Sequence, residues 1–110
     1  MLSGQESGYT IARMRYAIVL APEAFEDLKR LDAHHRAEVK TALEKHLRFE
    51  PAKVSRSRIK RLRGLQHPGY RLRIGDVRVF YDVSSGVVEV LAIVPKSLAA
   101  HWLSAWGKAE

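Results

Sequence analysis

Residues 70–83, YRLRIGDVRVFYDV, limit what this chain can fold into more than any other stretch. Tyr70, Leu72 and Ile74 alternate with Arg71 and Arg73, and Val77, Val79, Tyr81 and Val83 alternate with Arg78, Phe80 and Asp82. A period of two marks strands with one buried face. Gly75-Asp76 between the runs is hairpin-turn chemistry, because the turns that match strand twist need a positive φ. That turn sets a register: Ile74 faces Val77, Arg73 faces Arg78, Leu72 faces Val79 and Arg71 faces Phe80. Two arginines are then directly opposed on one face, with a third on the same strand and no acid of the hairpin opposite them. Like charges placed so destabilise a sheet by a few tenths to ~1 kcal/mol. The arrangement becomes favourable when an anion sits between the guanidinium groups, which grip phosphate bidentately. Phe80 is expected to be exposed beside them, where a nucleobase stacks. The alternative is that Asp82, Glu89 or a partner's carboxylate neutralises the arginines.

The charge of the whole chain is concentrated around this hairpin. Of 19 Lys and Arg in a chain of formal charge +7, nine lie between Lys53 and Arg78, against Asp76 as the single acid there. The remainder holds ten basic and eleven acidic residues and is close to neutral. A local polycation implies a polyanionic partner, nucleic acid foremost, or else a solvated or protein-docking basic face.

The rest of the chain reads as a frame for that hairpin. Residues 1–13 show no period and read as a flexible leader that need not be native, with Met14 close to the domain start; 14–107 form one domain. RYAIVL after Met14 has strand length. Pro22 suits the first helical position, with Glu23 and Glu26 in the dipole-favoured first turn and Phe25, Leu28 and Leu31 as the apolar side. Asp32 is the N-cap of a second helix whose stripe is Val39, Ala42, Leu43, His46 and Leu47. Arg36, Glu38, Lys40, Glu44 and Lys45 form its solvated face, and Pro51 ends it. A basic connector containing IKRLRGL, partly extended, leads to the His67-Pro68-Gly69 turn. After Ser84-Ser85-Gly86 the apolar run VVEVLAIV reads as a central strand. Leu98, Trp102 and Trp106 space out a short final helix that Trp102 and Trp106 pack on the sheet. The fold class is α+β: an N-terminal strand, a helical hairpin on a four-stranded, mainly antiparallel sheet, and a short C-terminal helix.

Other chemistries are excluded more simply. The chain has no cysteine, so it carries no disulfide, thiolate nucleophile or Cys-type zinc site, which fits a reducing, cytoplasmic setting. No apolar run reaches the ~18 residues of a membrane span. No metal constellation, Gly-rich phosphate loop or Ser/His/Asp motif is present, and no cofactor is expected. Among titrating side chains, His101 is the first candidate for proton transfer and His67 the second. His34 and His35 belong to the solvent side of the helical hairpin. Tyr81 belongs to the core.

GYRLRIGDVRVFYDV, the RLRGL connector and VVEVLAIVPK, in this order of elements, resemble the RelE/ParE superfamily of bacterial type II toxins, RelE more closely. The resemblance covers about residues 14–106. It implies a ribosome-dependent endonuclease that cuts messenger RNA in the ribosomal A site by metal-independent attack of a ribose 2′-hydroxyl on the neighbouring phosphate. It also implies a cognate antitoxin whose acidic segment wraps the toxin into a hetero-oligomer. Two alternatives share the fold: a ParE-like toxin that inhibits DNA gyrase, and a catalytically weak binding protein. By resemblance, Arg71, Arg73 and Arg78 occupy the phosphate-holding positions, with Arg73, Arg78 and His101 as the catalytic set. Arg61, Arg63, Arg71, Phe80 and Lys96 are the RNA contacts. Ser97 stands where the type member has an arginine, and Ala100-His101-Trp102-Leu103 stands where it has a tyrosine.

Overall fold

A computed structural model describes residues 14–109, so the leader expected over residues 1–13 lies outside the described residues. The elements run β1 (Ala17–Leu20), α1 (Pro22–Arg30), α2 (Ala33–Leu47), β2 (Ile59–Arg61), β3 (Leu65–His67), β4 (Tyr70–Ile74), β5 (Val77–Ser84), β6 (Val87–Pro95), α3 (Lys96–Trp106) and β7 (Lys108–Ala109). The fold is α+β, as expected, with one more strand in the sheet. Five strands are ordered β1-β6-β5-β4-β2, and β3 and β7 form a separate two-stranded ribbon. The added edge strand is β2, from the connector, paired antiparallel with β4. β1 joins parallel to β6, with Ala17 beside Val87, and the remaining pairs in the large sheet are antiparallel.

Local chemistry explains the helical hairpin. Pro22 opens α1, and the Asp32 carboxylate caps α2 by accepting the His35 N–H at 2.8 Å. Arg36 departs from the expected solvated face. Its guanidinium donates to the carbonyls of Leu28, Lys29 and Leu31, adding to the Leu31 N–H bond that already closes the end of α1 on Leu28. Phe25 also departs from expectation: it is exposed, and Ala24 and Leu28, one turn apart, are the buried positions of α1.

The main core fills the space between the helical hairpin and one face of the sheet. Val39, Leu43 and Leu47 of α2 meet Leu72, Val79, Tyr81, Val88 and Val90. Tyr81 is fully buried, its ring stacks on Tyr70, and its hydroxyl donates to the Pro51 carbonyl at 2.6 Å. Burial pushes its phenol pKa upward. A smaller core lies on the opposite face. There Phe80, Ala92 and Val94 are covered by Leu62 and by Ala99, Trp102 and Leu103. A bulge at Leu91, between Phe80 opposite Ala92 and Tyr81 opposite Val90, bends β6 under α3. Trp106 does not join this packing: it is 70% exposed. No helix is long and apolar enough to cross a membrane among the described residues.

Candidate phosphate-binding face

The β4–β5 hairpin closes through Gly75, whose φ of +55° belongs to the left-handed region. Its register is the one the turn dictates: Arg73 opposite Arg78, Arg71 opposite Phe80, Leu72 opposite Val79 and Ile74 opposite Val77. Pairing of β2 extends this row, because Lys60 lies opposite Arg71. Lys60, Arg71, Arg73 and Arg78 therefore share the sheet face away from the helical hairpin.

No carboxylate among the described residues pairs with any of the four. Asp76, in the turn between Arg73 and Arg78, makes no ion pair with them, and Asp82 is engaged elsewhere: its Oδ1 accepts the Gly69 N–H at 2.7 Å, and its Oδ2 lies 2.9 Å from His67 Nδ1. Arg78 is buried at 8% exposure and is held by the turn itself, donating from Nη1 to the carbonyls of Gly75 at 2.8 Å and Val77 at 3.1 Å. Arg71 is half-buried, and its Nε is fully enclosed with no hydrogen-bond partner. Burial, followed by repulsion from Arg78 and Arg73, lowers the Arg71 pKa. A buried donor without an acceptor costs about 1–3 kcal/mol, more when charged. Arg73 is exposed; its N–H donates to the Arg58 carbonyl at 2.9 Å, and Arg58 Nη1 donates back to the Arg73 carbonyl at 3.3 Å. Lys96 joins the same end of the sheet: its N–H donates to the Asp76 carbonyl at 2.7 Å, which ties the start of α3 to the hairpin turn and leaves its side chain exposed.

Several expected site residues lie elsewhere. Phe80 is not exposed. It is fully buried, stacked on Trp102 with centroids 4.9 Å apart and planes 6° from parallel, because α3 folds over the sheet and takes the place a nucleobase would occupy. Arg61 falls on the other face, since it opposes Tyr70 rather than Arg71. Its guanidinium sits 5.3 Å from the Tyr70 ring centroid and donates to the carbonyls of Leu62 and Gly69. Arg63 is exposed in the turn beyond β2, outside the paired row. His101 is exposed and lies two residues beyond Ala99, about 200° around α3 from a residue that packs on the sheet. The helix thus turns His101 away from the face that carries the arginines. His67, at the far end of that face, is held by Asp82. Lys60 is the residue the sequence reading missed. Treating IKR as an edge strand would have placed Ile59 in the core, Lys60 on the arginine face and Arg61 behind it. Among the described residues no three His, Asp or Glu side chains cluster in a way that could hold a metal.

The family model described as the ParE toxin of the type II toxin–antitoxin system parDE matches residues 18–97. The chain belongs to this toxin family. The RelB–RelE antitoxin–toxin complex of Methanococcus jannaschii has a chain 20% identical to this toxin, covering 76% of it and 96% of that chain, with a TM-score of 0.58. The archaeal RelE–RelB complex of Pyrococcus horikoshii OT3 is 27% identical, covers 76% and 97% of the two chains and has a TM-score of 0.56. The YoeB dimer of Staphylococcus aureus is 20% identical over 71% and 93%, with a TM-score of 0.51. At 20% identity the likeness is one of fold. No curated protein matches the toxin. The match spans β1 to the first turn of α3, so it includes the whole arginine row and ends before His101.

Proposed function

We propose that the toxin arrests growth in the cytoplasm by cutting messenger RNA in the ribosomal A site, through metal-independent attack of a ribose 2′-hydroxyl on the adjacent phosphate. The observation that carries this reading is the row Lys60–Arg71–Arg73–Arg78, ion-paired to no carboxylate among the described residues and with the enclosed Arg71 Nε lacking an acceptor. Such a row holds a phosphodiester and stabilises the added negative charge of the phosphorane. Arginine stays protonated and is a poor base, so the row contributes charge rather than proton transfer. With His101 turned outward, the 2′ proton and the proton for the leaving 5′ oxygen pass to and from water or groups of the RNA and ribosome. Dependence on the ribosome is consistent with this, because a site that supplies charge alone needs its substrate held in line by something else.

A cognate antitoxin completes the proposal. Its acidic segment lies over the row, neutralises it in the hetero-oligomer and keeps RNA out. The two RelE complexes to which the toxin is similar pair each toxin with an antitoxin.

The experiment is expression without antitoxin. Arg71→Ala and Arg73→Ala are expected to abolish growth arrest without unfolding the protein. Full toxicity in both variants would falsify the role of the row. Gyrase inhibition is the second reading, favoured by the outward His101 and by Ser97, which puts no cation on the first turn of α3 beyond Lys96. Under it, DNA replication and supercoiling fail before protein synthesis; under the first, incorporation of labelled amino acids stops first.

A further inference from the structure

Both tryptophans of the chain line a single groove. It runs between α1 and α3, has a volume of about 580 Å³, and includes Leu91 and Val94 of β6 in its lining. Leu98, Trp102 and Trp106 recur every four residues along one flank of α3. Trp102 is seated on Phe80, but Leu98 is 52% and Trp106 70% exposed. Large apolar side chains left bare in a row mark an interaction site.

The wall supplied by α1 is of different chemistry. It brings Glu23, Glu26, Asp27 and Arg30 to the groove. Asp27 is already engaged: Oδ2 accepts the Ile93 N–H at 2.9 Å, and Oδ1 receives Arg30 Nη1 at 3.3 Å. The first of these contacts occupies β6 beyond Val90, where its pairing with β1 has ended, and blunts that free edge against an added strand. Glu23 and Glu26 stay exposed on the rim, Glu26 in only a loose 3.6 Å contact with exposed Lys29. The groove is therefore locally acidic in a chain of charge +7.

We propose that this groove docks an amphipathic helix of a partner protein, with an apolar stripe flanked by lysine or arginine. The apolar stripe lies along Trp102 and Trp106 and over Leu91. The cations reach Glu23 and Glu26 on the facing wall. Charge complementarity selects this occupant, and the capped edge of β6 favours a helix over a strand. The length of α3, 11 residues or about 16 Å, accommodates three turns. The sign is opposite to that required at the arginine row. A single partner covering both surfaces must then carry an acidic segment for one and a basic helix for the other. The inference stands independently of RNA cleavage.

Because both tryptophans lie here, intrinsic fluorescence of the full-length protein reports on the groove. The probes are two synthetic 12-residue amphipathic helices, one of leucine and lysine and one of leucine and glutamate. The leucine–lysine peptide is expected to shift tryptophan emission to shorter wavelength in a saturable titration at moderate salt. Glu23→Lys with Glu26→Lys should weaken that binding at least tenfold, with the circular dichroism spectrum unchanged. Trp106→Phe should remove most of the shift. A shift produced by the leucine–glutamate peptide instead, a lysine-peptide shift indifferent to the charge reversal, or no shift with either peptide overturns the proposal. So does a shift that grows with protein concentration alone, which would assign the groove to a second copy of the toxin. Growth arrest that survives in Glu23→Lys, Glu26→Lys leaves the RNA reading intact whichever way the peptide titration falls.

Discussion

The two faces of the central sheet are built from the same strands and have different tasks. Toward the helical hairpin, Leu72, Val79, Tyr81, Val88 and Val90 are all fully buried, and their partners on α2 close over them. On the other face the small island of Phe80, Ala92 and Val94 is covered by α3, a helix with no fully buried residue of its own. Beside that island stand four cations that pair with no acid among the described residues. The first face shows what a 110-residue chain needs in order to fold. The second shows what the fold tolerates for a partner's sake, since opposed arginines oppose folding.

The comparison breaks most readily on the helix-covered face. Leu72→Ala is expected to cost about 2–5 kcal/mol in urea denaturation, the range for an aliphatic side chain removed from a packed core. A loss below 1 kcal/mol would mean that this face is not the main source of stability. Next come the two neighbours on β2, which point to opposite faces. Lys60→Ala should weaken binding of single-stranded RNA and reduce the slope of log affinity against log salt by about 0.7, the value for one phosphate contact on a single strand. Arg61→Ala should leave that slope unchanged, because its guanidinium is held over Tyr70. Equal effects from both would erase the distinction between the faces.

A smaller effect of opposite sign is expected at Arg73. Arg73→Thr should raise the urea midpoint, corresponding to a gain of a few tenths to ~1 kcal/mol, as the repulsion from Arg78 disappears. A clear loss of stability would show that the row is compensated within the chain. The smallest effect lies at the exposed start of α2. Hydrogen bonding to Asp32 raises the His35 pKa, and hydrogen bonds from His35 lower that of Asp32. Stability linked to His35 is present below its unfolded value of about 6.5 and is lost as pH rises through the raised folded value. Stability linked to Asp32 is present above about 3.9 and is lost as pH falls through its lowered folded value. Asp32→Asn should lower the denaturation midpoint between about pH 4 and 6.5, where both contributions are present, and remove the part of its decline that these two groups cause below about pH 4 and above about pH 6.5, while leaving RNA binding untouched.

The residues that were legible in advance are those whose partners are close in sequence. Pro22 and Asp32 start their helices through contacts within one turn. Gly75 sets the hairpin register within two residues, and the opposition of Arg73 and Arg78 follows from it. Phe80, Arg61 and His101 were misplaced for a common reason. Alternation and helical periodicity give the side of an element on which a residue stands, but not what covers that side. Phe80 does share a face with the arginines, as its alternation says, yet a helix starting 16 residues later lies over it. Arg61 and Lys60 were one position apart in a connector whose alternation became meaningful only once it paired with β4.

By itself, the sequence determined the order of β1, the helical hairpin, the strands β4 to β6 and α3, the tight turn and the crowding of guanidinium groups across it. Each of these follows from backbone preference and charge over a few residues. Only the tertiary structure decided that α3 would bury Phe80 and turn His101 outward, that Lys60 would join the row, and that Trp106 would be left bare above an acidic wall. Those outcomes depend on which surfaces meet after the chain has closed, and burial in a non-local contact depends on the partner surface as much as on the residue.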